Sequence, residues 1–205
     1  MRPMGEPRIK GVMLRDYVRF IQAEHGDAAL DGTLRGVSSD LATALREGHI
    51  FTGNWYPLAW YRDLHAAGRR ATGLGLELAR AKGAYGMHQN LHGIYKIFIL
   101  VTTPAFLISR AGRLFNTHYE VGTMEVVQAI HGRAEAHCTG CVGFDENVWH
   151  GLIGACEAAL KIAGAEELRV EVVSGARTGD EEMRMVATWQ ALANTPPFPT
   201  ATPRR

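Results

Sequence analysis

The chain has 205 residues, 46% of them hydrophobic and 21% charged. That is ordinary globular composition, with apolar material for one core and too little length for two enzyme domains. Its 22 Lys and Arg set against 21 Asp and Glu leave a net charge of +1, with no basic excess of the kind that holds nucleic acid phosphates or an anionic membrane surface.

Three cysteines, an odd number, argue against a secreted disulfide framework and for reduced thiols in the cytoplasm. The start carries Arg2, Glu6, Arg8 and Lys10 with Pro3 and Pro7 and no signal-type apolar run, so secretion is not expected. The apolar stretch Ile94 to Ile108 contains Lys96 and Pro104 and falls short of the roughly 20 residues that span a bilayer. Membrane insertion is not expected either.

Residues 1–8 are read as a disordered leader. From Lys10 to His25, Leu14, Tyr17, Val18 and Ile21 recur at helical spacing, and Gly26 is placed to close that helix. Ser38 to Glu47 repeats the pattern, with Ser39 or Asp40 as cap and Gly48 at the end. In Trp55 to Tyr61, Pro57 suits a first helical turn, and Leu58, Tyr61, Leu64 and His65 continue a stripe to Gly68. Leu74 to Lys82 reads as a short helix ending at Gly83. His88 to Val101 is a buried helix or, through Ile97 to Val101, a buried strand, and the helix is preferred. Thr103 then caps a new helix with Pro104 at its first position, carrying Phe106, Leu107 and Leu114 toward the core.

After residue 120 the period becomes two. Met124, Val126, Gln128 and Ile130 alternate with Glu125, Val127 and Ala129; His131-Gly132 turns; Arg133, Glu135 and His137 alternate with Ala134, Ala136 and Cys138. Asp145 caps a helix through Ala163, with the apolar face Trp149, Leu152, Cys156 and Leu160, room for close packing at Gly151, Gly154 and Ala155, and Gly164 at its end. A second hairpin runs through Leu168, Val170 and Val172, a polar loop from Gly175 to Glu182, then Met183, Met185, Ala187 and Trp189. The tail 194–205, with four prolines and two terminal arginines, is read as disordered. The fold class is therefore α+β: a helical N-terminal half, then a ββαββ antiparallel-sheet half, in one domain over residues 9–190.

Several local wordings go beyond topology: Lys10-Gly11-Val12 opening the first helix, Trp55-Tyr56-Pro57 with Tyr61 and Leu64, Tyr119 with Gly122, Gly151 with Gly154, Ala163-Gly164-Ala165, and Gly179 before a strand ending in Trp189. In these the chain resembles a bacterial paralogous family of unknown function near the heme NO-binding and 4-vinyl-reductase-like ligand-binding superfamily, which includes vesicle-tethering subunits. The resemblance implies a compact sensor or interaction domain with no assigned reaction. Its heme-type members use a proximal histidine on the helix before the sheet and a Tyr-x-Ser-x-Arg triplet on the second strand to grip the propionates. Here His88, His92 and His118 precede the sheet, but the second strand reads Arg133-Ala134-Glu135-Ala136-His137, without the triplet.

Two candidate sites follow. Trp55, Tyr56, Trp60 and Tyr61 are the candidate lining of an apolar ligand pocket between helices and sheet, with ordinary core packing as the competing reading. Cys138 and Cys141, with His137, are the candidate metal ligands, since two thiolates at this spacing can share a zinc ion. A redox dithiol and buried structural cysteines are the alternatives. No nucleophile, metal-protease or phosphate-loop motif occurs, and the sequence assigns no cofactor. The chain reads as a non-enzymatic sensory or regulatory module binding a small apolar ligand. The alternatives are a dimerising scaffold with a filled core and a heme or zinc sensor. A homodimer through the helical half, Met13 to Phe115, is expected.

Overall fold

The computed structural model describes residues 6–92, 103–130 and 132–190. A short strand, β1 (Arg8–Lys10), leads into α1 (Gly11–Arg35). Gly26 does not close α1 but bends it, with φ +82, because Ala28, Ala29, Leu30 and Leu34 resume a helix-forming pattern that only a glycine joint connects. α2 (Ser39–Arg46) is capped by Ser38, whose hydroxyl oxygen accepts from the Leu41 N–H at 3.4 Å, one residue before the expected caps.

Trp55 to Pro57 are extended, not a first helical turn. They form β2 (Trp55–Pro57), antiparallel to β1 with Ile9 opposite Tyr56. Pro57 then stands at the N-cap of α3 (Leu58–Thr72), a position compatible with its fixed φ and missing N–H. The next helix, α4 (Leu76–His92), passes straight through Gly83, where the sequence suggests an end. The reason is tertiary: a Cβ on Gly83 would overlap the Gly151 carbonyl oxygen, so the glycine serves a close helix crossing instead of a cap. The predicted continuation over 93–101 lies outside the described residues, as does the tail.

α5 (Pro104–Ile108) starts as expected, with the Thr103 hydroxyl accepting from Phe106 N–H at 3.2 Å. α6 (Ala111–His118) follows. Phe106 and Leu114 are exposed, contrary to expectation; Ala105 and Phe115 turn inward instead.

The sheet half consists of β3 (Thr123–Ile130), β4 (Arg133–Thr139), α7 (Glu146–Ile162), β5 (Glu166–Gly175) and β6 (Met183–Gln190). All pairings are antiparallel in the order β3-β4-β6-β5, so β6 returns between β4 and β5. Alternation puts Ala134, Ala136 and Cys138 of β4 and Met183, Met185, Ala187 and Trp189 of β6 on the buried face. α7, capped by Asp145 through Val148 N–H at 3.0 Å, lies between this sheet and α4. Arg80 holds Glu157 across that crossing at 2.8 and 2.5 Å. Ile9, Leu14, Tyr61, Leu78, Phe144, Trp149, Met124 and Met183 all belong to one core linking helices to sheet.

Candidate ligand site

Polar side chains collect where α1, α3 and α4 meet in the interior. α1 brings Met13, Asp16 and Tyr17 along one face, α3 brings Tyr61 and His65 one turn apart, and α4 brings Lys82. The His65 ring is fully buried between Tyr17 and Tyr61, edge-on to both at 4.5 and 4.6 Å. Among the described residues neither of its nitrogens, nor the hydroxyl of Tyr17 or Tyr61, has a hydrogen-bond partner. Burial drives His65 well below the usual histidine range, and Lys82 and Arg69 repel its charged form further. Its imidazole is neutral at physiological pH.

Lys82 is only 1% exposed. Its ammonium lies 3.9 Å from Met13 Sδ and 5.0 Å from the centre of the Tyr61 ring, contacts far weaker than those it gives up in water. Burial lowers this amine to about 8, and the attraction of Asp16 offsets part of that fall. Asp16 is itself buried, and desolvation raises its carboxyl while Lys82 and Arg19 pull it back. No direct ion pair joins Lys82 to Asp16; the carboxylate's ion-pair contact is with Arg19 at 3.6 Å. His118, at the end of α6, faces the same charges: burial lowers it, and both Lys82 and Asp16 act on it. Its Nδ1 donates to the Leu114 carbonyl oxygen at 2.9 Å, since a carbonyl can only accept.

The four predicted aromatics separate. Tyr61 belongs to this interior, whereas Tyr56 stacks on Trp60 at 5.9 Å and Trp55 lies under Lys10 at 3.9 Å, along the β1–β2 ribbon. The predicted sulfur site also divides. Cys138 and Cys141 are fully buried beneath the sheet, while His137 points to the opposite face, 3.5 Å from Glu182. Burial pushes the thiols up, Cys141 to about 12, and all three cysteines are free. Among the described residues no three His, Cys, Asp or Glu side chains are grouped to hold a metal ion. A separate groove of about 320 Å³ runs between α4 and α7, with Arg80, Glu157, Lys161 and His88 around Ala81 and Gly154.

No protein-family model matches the sequence, and no curated protein matches it. Solved structures do. An oxygen-binding H-NOX domain related to soluble guanylate cyclases superposes with a TM-score of 0.68 at 12% identity, covering 95% of this chain and 100% of that one. An Fe(II) unliganded H-NOX protein from K. algicida gives 0.68 at 11%, covering 91% and 100%. An H-NOX protein from S. oneidensis gives 0.69 at 9%, covering 90% and 98%. This chain has the H-NOX fold.

The H-NOX likeness raises heme, and the described residues do not fit a heme gripped in the expected way. From Arg133 to Gly140 there is no tyrosine or serine. The one arginine there, Arg133, lies off the core face, bonded to Gln128 and to Glu135 at 3.3 Å. The core face of β4 is Ala134, Ala136 and Cys138, which offers no cation or hydroxyl to a propionate. Among the described residues the buried lysine or arginine stands on the helices, at Lys82.

Proposed function

We propose that the chain is a non-enzymatic sensory or regulatory module that binds a small, largely apolar ligand in the interior of the H-NOX fold, beside Lys82 and without heme. The observation that carries this reading is the set of buried polar atoms on His65, Tyr17 and Tyr61 that have no partner among the described residues, beside the buried ammonium of Lys82. Such groups cost stability in an empty core. A ligand that shares them offsets the cost in the bound state, which couples occupancy to the packing of α1, α3 and α4. Tyr61 is the member of the predicted aromatic set that belongs to this site.

Native mass spectrometry of the full chain, purified from its own host with heme supplied during expression, tests the reading. The expected result is a retained small molecule released on unfolding and no Soret absorbance. Stoichiometric heme, or a chain that retains nothing and is not stabilised by any small apolar compound, would overturn it.

We also propose that the module works as a homodimer in the cytoplasm, paired through its helical half. Phe51, Phe106 and Leu114 are exposed there at 62%, 44% and 40%, and pairing through this half would cover them. The free cysteines accord with a reducing compartment.

A further inference from the structure

The two ends of the sheet differ. At the β3 end α6 lies across the strand: a Cβ on Gly112 would stand 2.5 Å from the Met124 carbonyl oxygen. β5 is the other end of the order, and among the described residues no strand pairs with its outer side. Val173 is 62% exposed and Val172 41%, although Met185, opposite Val172, is buried. Leu168 and Val170 on that core side are half-buried, so an apolar ledge runs to the edge of the sheet.

An open edge accepts a further strand unless its side chains forbid it. Arg169 and Glu171 stand on the face away from the core, opposite Thr188 and Val186. Both are exposed, and neither has an ion pair or side-chain hydrogen bond among the described residues. Their opposite signs reject a strand of uniform charge and suit one that carries the same pattern in reverse. That strand is β5 itself, run antiparallel.

Geometry fixes the register. Glu167 has φ +48, and the pairing with β6 shifts on either side of Arg169 to Val172, so the regular ladder is confined to that stretch. In an antiparallel pair made by two-fold symmetry, directly opposite residues share a face, so the axis passes through a residue. An axis at Arg169 sets arginine against arginine, and one at Glu171 sets glutamate against glutamate. One at Val172 runs the pairing into the shift beyond it. An axis at Val170 sets Arg169 against the second copy's Glu171 and the reverse, Leu168 against Val172 and the reverse, and Val170 against itself.

We propose that β5 is a self-pairing edge, joined antiparallel to β5 of a second copy about a two-fold axis at Val170. Two four-stranded sheets then form one continuous sheet. The contact is separate from ligand binding and from the helical dimer. A ladder this short falls below the roughly 1,200–2,000 Å² of a stable interface, so it joins molecules above the micromolar range and clusters modules already held close together.

The full chain carrying Phe106→Glu and Leu114→Glu, which isolates the β5 contact, is followed by sedimentation from about 10 μM to about 1 mM. A monomer–dimer equilibrium is expected. Arg169→Glu or Glu171→Arg should weaken it about tenfold or more, and the two together, which swap the charges, should restore it to within about threefold. Register is read by oxidation in that background at the highest concentration. Val170→Cys should cross-link to its own copy, because opposed Cα atoms lie about 4.5–5.5 Å apart, within disulfide reach. Val172→Cys, about 14 Å from its own copy, should not, and the chain with its native cysteines sets the background. A chain that stays monomeric throughout overturns the proposal, as does equal cross-linking at both positions or a charge swap that fails to restore association. Capture of a different extended peptide along β5 with no self-association overturns it too.

Discussion

Replacing Lys82 by methionine removes one amine and little volume, and its effect on stability has a calculable pH dependence. The unfolded chain holds the lysine proton up to about 10.5, while burial brings the folded amine to about 8. Between these values the unfolded chain binds more protons, so raising the pH favours the folded state of the wild type. Below about 8 the full penalty of the buried ammonium is present, on the order of 3 kcal/mol. Lys82→Met has no proton to lose. It should gain on the wild type at neutral pH, and the gain should shrink as pH rises from about 8 to about 10.5. Loss of the neighbouring cation penalises Asp16, which reduces the absolute offset at neutral pH without producing that slope. The buried thiols and tyrosines titrate in the same alkaline range but are common to both proteins and cancel in the difference. Urea unfolding followed by tryptophan fluorescence at several pH values between 7 and about 10 reads it directly. A difference that stays flat with pH would show that the amine is not desolvated, and a variant less stable by several kcal/mol throughout would show that Lys82 has a partner worth more than its burial costs.

Two further outcomes are expected. Gly154→Ala should separate α4 from α7, because the added methyl would overlap the Arg80 carbonyl oxygen, and should cost about 1–3 kcal/mol, read as a lowered urea midpoint; an unchanged midpoint would mean the crossing is loose. Sedimentation at micromolar concentration should give a species of twice the 22.5 kDa chain mass that Phe106→Glu with Leu114→Glu converts to monomer; a concentration-independent monomer in the wild type refutes the dimer.

The fold was largely legible because its signals are local. Asp145 and Thr103 cap the helices the sequence suggests, and period-two alternation over Met124 to Ile130 and Met183 to Trp189 marks the two hairpins. What was illegible depends on contacts between distant residues. Gly26 and Gly83 look like helix ends because glycine is a common C-terminal residue; one is a bend, and the other is a notch for Gly151 that only the folded chain supplies. The site was lost through that second misreading. If α4 ends at Gly83, Lys82 occupies a last turn, where cations are commonplace. Once the helix runs to His92, Leu78, Lys82 and Tyr85 fall on one stripe, and a lysine at the centre of that stripe is the available signal. His65 was visible within the stripe of α3, but sequence cannot say that both its nitrogens would lack partners. The small extended ribbon at Trp55 to Pro57 depends on pairing with Arg8 to Lys10, 45 residues or more away in the chain, which local pattern does not encode.

The departure from the heme grip has a packing explanation on the sheet itself. Ala134 of β4 and Ala187 of β6 pair across the sheet, and the hollow their small side chains leave is filled by Leu160 of α7 and by Trp189. A bulky hydroxyl or guanidinium on that face of β4 would have to displace this packing, at the cost that overfilling a close-packed core carries. The buried polarity of the described interior lies on the helical side instead. Lys82 of α4 lies against Met13 of α1 and over the Tyr61 ring, a face that tolerates a cation. With its sheet face committed to alanine packing, the fold carries its buried charges among the described residues on the helices, at Asp16 of α1 and Lys82 of α4.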